Sequence, residues 1–118
     1  MIRLKRVYER PAEEDGRRIL VDRLWPRGLK KEQARIDEWR KDLAPSDALR
    51  KWFKHDPAKW DAFCARYHRE LSDTGRLDDL RDLARLAKRS TITLCYGAAD
   101  PEHNQAVALR DFMRKLSR

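Results

Sequence analysis

The sequence predicts an α/β domain in three layers, with a short, mostly parallel sheet of about three strands flanked by helices. Three segments rich in apolar and β-branched residues, 2–8, 19–25 and 91–96, have the composition of strands. Residues 31–89, between the second and third segments, carry apolar side chains at helical spacing, and another helical pattern follows the third segment. That passage is long enough for a crossover, so the second and third strands can lie parallel.

Length and composition indicate one folded domain spanning residues 1–118. Charged residues make up 41% of the chain and its net charge is +8, yet another 41% of the residues are hydrophobic, including four tryptophans. A chain with that much core-forming material is expected to fold. No apolar run approaches the roughly 20 residues that a membrane span needs, and residues 1–10 do not resemble a signal peptide. We therefore expect a cytoplasmic protein with no membrane partner.

The first strand is predicted from alternation, because Ile2, Leu4 and Val7 are interleaved with basic residues. The second segment, residues 19–25, is continuously apolar at its start, which is typical of a buried strand, and Pro26 ends it. The link between these two strands is short for a helical crossover. An antiparallel first pair and a non-adjacent placement therefore both remain open.

Four helices are predicted between the second and third strands. The first covers residues 31–43, because Ile36, Trp39 and Leu43 would share one helix face and Pro45 would end the helix. Capping residues mark three later helix starts: Ser46-Asp47, Asp56-Pro57 and, after the third strand, Asp100-Pro101.

Chemistry is expected in the loops at the carboxyl ends of the second and third strands. Ligands of open parallel sheets bind there, because these loops meet helix N-termini whose free N–H groups favour anions. The carboxyl end of the second strand supplies Arg23 and Trp25, and the loop after it supplies Arg27. Guanidinium groups match phosphate or carboxylate in two-point geometry, and Trp25 can stack on a base or form a pocket wall. The alternative is that Arg23 pairs with an acid, Trp25 is core and the other cations are solvated.

The loop after the third strand supplies Asp100, His103 and Asn104. Histidine exchanges protons near neutral pH, and the positive end of a helix would keep His103 neutral. We assign His103 and Asn104 the catalytic part, orienting a reacting group, and Asp100 a ligand-binding part. The alternative is that Asp100 only caps a helix and His103 is simply exposed. Arg50 and His55 are second-rank candidates.

No metal and no cofactor are predicted. Cys64 and Cys95 lack zinc-ligand spacing, and both lie in apolar patterns typical of core residues. Cys95 precedes a loop and a helix, as some cysteine nucleophiles do, but it lies within the strand. His55 and His68 make no ligand spacing with each other or with His103. The sequence contains no Walker loop and no Gly-x-Gly-x-x-Gly, Gly-x-Ser-x-Gly or His-Glu-x-x-His motif.

Four stretches carry a resemblance to a known family: residues 22–31 (Asp-Arg-Leu-Trp-Pro-Arg-Gly-Leu-Lys-Lys), 39–46, 49–55 and 96–106. They are similar to the YeaO-like branch of a bacterial family known only as domain of unknown function 488, and the similarity covers essentially the whole chain. The resemblance implies a small three-layer α/β domain and a bacterial cytosolic protein without an assigned activity. Longer relatives place a motif ending in Cys-His-Arg after the last strand. Residues 102–106 here contain no cysteine, so the resemblance does not carry thiol chemistry to this chain.

Our leading hypothesis is a domain, or an enzyme, that binds an anionic small molecule of the phosphate or nucleotide class at the carboxyl-end edge of the sheet. The rival is a nucleic-acid-binding module, since residues 17–41 have a net charge of +5 and combine arginine with tryptophan. Interspersed acids and the lack of a nucleic-acid reader motif weigh against this rival. A third interpretation is an interaction protein whose tryptophan-rich helices meet a partner.

Overall fold

Four parallel strands form one sheet at the centre of the molecule. In the computed structural model, which describes residues 1–117, β1 is Ile2–Arg6, β2 is Arg17–Leu20, β3 is Glu38–Trp39 and β4 is Ile92–Tyr96. The strand order is β1-β4-β2-β3, and all three neighbouring pairs are parallel. The predicted α/β class is therefore confirmed, with a fourth strand of two residues added at one edge.

The central strand β4 holds the sheet together, because it pairs with both β1 and β2. Leu94 lies opposite Leu4 in β1 and opposite Ile19 in β2. All five residues of β4 are buried, as expected for a strand with a neighbour on each side and layers on both faces. Of the two arrangements left open for the first two strands, the non-adjacent one is correct.

Five helices accompany the sheet: α1 Lys31–Ala34, α2 Asp47–Phe53, α3 Trp60–Asp73, α4 Leu77–Arg89 and α5 Gln105–Leu116. Alternate residues of a strand point to opposite faces, and the two faces bury different clusters. Ile19 and Leu94 join the large cluster formed with α2, α3, α4 and α5. Leu20 and Cys95 join a smaller cluster with Ala34 of α1 and the loops around it. The sheet is therefore the middle of three layers.

The prediction of one helix over residues 31–43 is wrong. The helix α1 ends at Ala34, Arg35 adopts a left-handed conformation with φ of 48°, and β3 and a 3₁₀ turn at Lys41–Leu43 follow. Trp39 packs against the smaller cluster, whereas Leu43 is buried in the large one. These two side chains serve opposite faces of the sheet, which one helical stripe cannot do.

Other boundaries also differ from the sequence prediction: β1 ends at Arg6, and a 3₁₀ turn at Pro57–Lys59 precedes α3. The second strand ends at Leu20, although Val21 still donates a backbone hydrogen bond to Cys95 O at 3.1 Å. The last helix begins at Gln105 instead of after Asp100-Pro101, and its N-cap is Asn104. The predicted start at Ser46 is confirmed, since its Oγ accepts from Leu49 N at the beginning of α2.

A buried ionic cluster ties the start of the chain to the sheet. The carboxylate of Asp15 accepts from Arg18 Nη1 at 2.7 Å and from Lys5 Nζ at 3.1 Å. Arg18 also donates twice to Ala34 O, at 3.1 and 2.9 Å. Thr93 Oγ1 in β4 donates to the backbone oxygen of Asp15. These contacts join β1, β2, β4 and α1 around two charges that are almost completely buried.

Among residues 1–117, no helix is both long enough and apolar enough to cross a membrane.

Candidate functional site

A cavity of about 390 Å³ opens at the carboxyl ends of β2 and β4. The loop after β2, the segment around α2 and the loop after β4 provide most of its walls. The lining residues are Tyr8, Asp22, Arg23, Leu24, Trp25, Pro26, Arg27, Pro45, Arg50, Lys51, Phe53, His55, Phe63, Gly97, Ala98, His103, Asn104 and Gln105. This is the edge of the sheet where ligands of parallel α/β folds bind.

The structure brings five of the six predicted site residues to this cavity. Arg23, Trp25 and Arg27 reach it from the loop after β2, and His103 and Asn104 reach it from the loop after β4. The second-rank candidates Arg50 and His55 line it as well. Asp100 does not line the cavity, and its carboxylate contacts the Nδ1 atom of His103.

Four lining residues carry a positive charge: Arg23, Arg27, Arg50 and Lys51. Arg23 Nε donates to Pro45 O at 2.9 Å and lies 3.9 Å from Asp47 Oδ1, and Arg50 Nη2 lies 3.2 Å from the same oxygen. Two guanidinium groups therefore converge on one carboxylate oxygen beside the cavity. Within the described range 1–117, Arg27 and Lys51 have no carboxylate at ion-pair distance.

Asp22 is a site residue that sequence reasoning missed. Its carboxylate accepts from Gly97 N at 3.0 Å and from Gln105 Nε2, so it joins the ends of β2 and β4. Burial raises the pKa of Asp22 to about 6, against the opposing effects of both hydrogen bonds and the Arg50 charge. The available signal was an acid inside a largely apolar stretch, near the carboxyl end of the predicted second strand.

The Asp22 carboxylate lies so close to the backbone at position 97 that only a glycine fits there. A Cβ at position 97 would lie 2.7 Å from Asp22 Oδ2, closer than a non-bonded carbon and oxygen can come. The glycine therefore lets the backbone amide after β4 reach the carboxylate after β2.

His103 is oriented by Asp100. Their Nδ1 and Oδ2 atoms lie 2.9 Å apart, and the ring edge packs on Trp60 with a centroid distance of 5.3 Å. The backbone N–H of Glu102, followed by the His103 side chain, lowers the pKa of Asp100 below its usual value. With Asp100 ionised, Nδ1 of a neutral His103 is the donor, which leaves Nε2 as an acceptor.

Two of the predicted site residues have side chains that the fold already uses. Trp25 donates from Nε1 to Leu29 O at 2.7 Å and packs edge-on against Trp39 in the smaller hydrophobic cluster. Asn104 accepts from Val107 N at 3.1 Å and donates to Asp100 O at 2.9 Å, so both ends of its amide are engaged. Of the catalytic pair predicted here, His103 has the freer side chain.

The cysteines lie outside this chemistry. Burial raises the pKa of both Cys64 and Cys95 to about 11, so both thiols are protonated at neutral pH. Neither lines the cavity. The part of the chain that the structure describes contains no cluster of three or more His, Cys, Asp or Glu side chains that could hold a metal ion.

The chain resembles proteins whose activity is not assigned. It is 42% identical to the uncharacterized protein YeaO of Escherichia coli over 115 residues, which cover 98% of each chain. It is 46% identical over 92 residues to an uncharacterized protein of Mycobacterium tuberculosis, covering 78% of this chain and 75% of that one. No solved structure matches the chain. The family described as "Inactive DUF488-N3 subclade" matches residues 1–117, and the chain therefore belongs to that subclade of the DUF488 family.

Proposed function

We propose that this protein binds a small anionic molecule of the phosphate or nucleotide class in the cavity at the ends of β2 and β4. The observation that carries the proposal is the charge of the wall. Arg23, Arg27, Arg50 and Lys51 line the cavity, and Asp22 is the one acid among its lining residues in the described chain. Guanidinium groups bind phosphate through paired, charge-assisted hydrogen bonds.

The protonation of Asp22 supports an anionic ligand. With a pKa of about 6, this carboxyl group is partly protonated in mildly acidic solution and then no longer repels an anion. His103 lines the cavity, and the contact of its Nδ1 with the Asp100 carboxylate holds the ring in its orientation there.

Binding without turnover fits this chain better than catalysis. Both thiols have raised pKa values, and Asn104 is engaged in capping. The matching family is described as inactive, which agrees with a site that retains ligand contacts and lacks a nucleophile. The enzyme alternative requires His103 to act as a general base on the bound molecule.

Calorimetric titration with inorganic phosphate, pyrophosphate and adenosine monophosphate tests the proposal. We expect Arg27→Ala to weaken binding about tenfold, because a hydrogen bond to a charged group is lost. Arg85→Ala is the matched control, since Arg85 lies on α4, pairs with Asp82 and does not line the cavity. Absence of binding by the unmodified protein, or equal weakening by both variants, contradicts the proposal.

The nucleic-acid alternative is weakened by the ion pairs of residues 17–41. Arg18 pairs with Asp15, and Arg40 pairs with Asp42 and Asp79, which are acids outside this segment that its net charge does not count. These cations already have partners, so the local net charge overstates what a phosphate backbone would meet. A filter-binding titration with single- and double-stranded DNA at low and high salt tests it, and retention of DNA that fades with salt favours the alternative.

A further inference from the structure

Exposed apolar side chains are concentrated at the mouth of the cavity. Among residues 1–117, three large hydrophobic side chains are exposed: Met1, Leu24 at 60% and Tyr8 at 42%. Leu24 and Tyr8 both line the cavity, and Met1 does not. Apolar groups that a fold leaves in water beside a cationic wall mark a surface that a ligand can cover.

Leu24 and Tyr8 form an apolar rim at the mouth of the cavity, and contacts of neighbouring residues hold this rim in place. Tyr8 donates from its hydroxyl to Arg27 O at 2.7 Å, and the Arg6 guanidinium lies 4.7 Å from the centre of its ring. Leu24 lies between Arg23, which is bonded to Pro45 O, and Trp25, which is bonded to Leu29 O. Hydrogen bonds of Tyr8, Arg23 and Trp25 therefore fix the backbone that carries the apolar rim.

The volume of the cavity points in the same direction. Sites for organic ligands have volumes of about 300–1,000 Å³, and the cavity of about 390 Å³ lies within that range. Inorganic phosphate, with five heavy atoms, would fill a small part of it. The cationic side chains would bind the anionic group of a ligand. The exposed side chains of Leu24 and Tyr8 would bind a second, apolar group of the same ligand.

We infer that the ligand is an organic phosphate whose aromatic or apolar group lies on Leu24 and Tyr8 while its phosphate meets the arginines. This inference rests on the proposed function and narrows it from the phosphate or nucleotide class to phosphates that carry an aromatic or apolar group. Trp25, expected from the sequence to stack on a ligand, packs on Trp39 and donates its N–H to Leu29. The apolar contact therefore falls to Leu24 and Tyr8.

Titrations with phenyl phosphate and inorganic phosphate, which differ by the aromatic ring, test the inference. We expect phenyl phosphate to bind about fivefold more tightly, because the ring removes apolar surface from water at the rim. Leu24→Ala should abolish most of that preference, measured as the ratio of the two affinities. Leu24→Met, which keeps the apolar surface, should retain the preference.

The outcomes separate this inference from the proposed function. Equal binding of both phosphates, unaffected by Leu24→Ala, overturns the inference and leaves anion binding intact. Loss of all anion binding in the unmodified protein overturns both. A dimer in sedimentation analysis that Leu24→Ala dissociates would show that the rim is a contact between protein copies, and this also overturns the inference.

Discussion

Asp22 joins the two loops that form the cavity, and its environment gives it unusual acid–base behaviour. Burial raises its pKa from 3.8 to about 6, although Gly97 N and Gln105 Nε2 both donate to the carboxylate. The folded protein therefore holds a proton on Asp22 in a pH range where the unfolded chain does not. Above about pH 6, the ionised carboxylate reduces the stability of the folded state.

The variant Asp22→Asn should reverse this effect. At about pH 8 we expect it to raise the free energy of unfolding by about 2 kcal/mol, because no buried charge remains. The difference should shrink toward zero at about pH 4, since the unmodified residue is then protonated in the folded state. Urea unfolding at both pH values measures this. A change of equal size at both would show that the amide acts through packing or hydrogen bonding alone.

The residues of the site were predicted to different extents. Arg23, Arg27 and His103 could be placed together because the ends of parallel strands meet at one edge of a sheet. Leu24 and Tyr8 could not, because apolar residues in a sequence are expected to be buried. Asp22 was missed as a partner of Gln105, since that contact joins positions far apart in the chain.

At the scale of elements, the loop from Gly97 to Asn104 is organised by its polar side chains. Asp100 Oδ1 accepts from the backbone N–H groups of Glu102 and His103, which forms a turn before α5. Asn104 then caps α5. The sequence predicted a cap in this region but placed it four residues early, because Asp-Pro is also a common helix start.

The variant Asn104→Ala should destabilise the protein by about 1–2 kcal/mol, because α5 loses its N-cap and a hydrogen bond to Asp100 O is lost. Asn104→Ser, which keeps a capping oxygen, should recover part of that loss. Thermal or urea unfolding measures both variants. Unchanged stability in Asn104→Ala would count against the capping role and favour a direct contact with the ligand.

The segment from residue 31 to residue 43 shows where periodicity misleads. Ile36, Trp39 and Leu43 have helical spacing, yet β3 and a 3₁₀ turn lie there. Glu38 and Trp39 pair with Ile19 and Leu20, and a strand pairing of this kind is a long-range contact that a local pattern does not contain. By contrast, the helical spacing within residues 60–89 does correspond to helices, α3 and α4, because the buried residues of both lie in one cluster.

At the scale of the whole molecule, the buried Asp15–Arg18 pair joins three strands and α1. Burial by itself would raise the pKa of Asp15, but hydrogen bonds from Ala12 N, Lys5 and Arg18 outweigh it and lower the pKa below 3.8. Ionised Asp15 therefore stabilises the folded state at all pH values above its unfolded pKa. That contribution is lost as the pH falls through the lower pKa of the folded state.

The variant Asp15→Ala should cost about 3–5 kcal/mol at neutral pH, because the buried guanidinium of Arg18 loses its carboxylate. It should also weaken the dependence of unfolding on pH below about pH 4. Urea unfolding from neutral to acidic pH measures both effects. Should this variant fail to fold, Asp15→Asn, which retains the accepting oxygen, supplies the comparison. An unchanged acid transition in a folded variant would contradict the assignment.

The position of β4 also governs how the protein is made. During translation, β1 and β2 emerge early, but the strand that pairs with both of them begins at Ile92. In a nascent chain that ends before Ile92, no strand is present to join β1 to β2. The apolar faces of the helices already made then lack the complete sheet that covers them. Completion of the sheet must therefore wait until β4 has been synthesised, and pairing across so long a stretch of chain is intrinsically slow. Until β4 has been made, these apolar helix faces remain accessible to a chaperone.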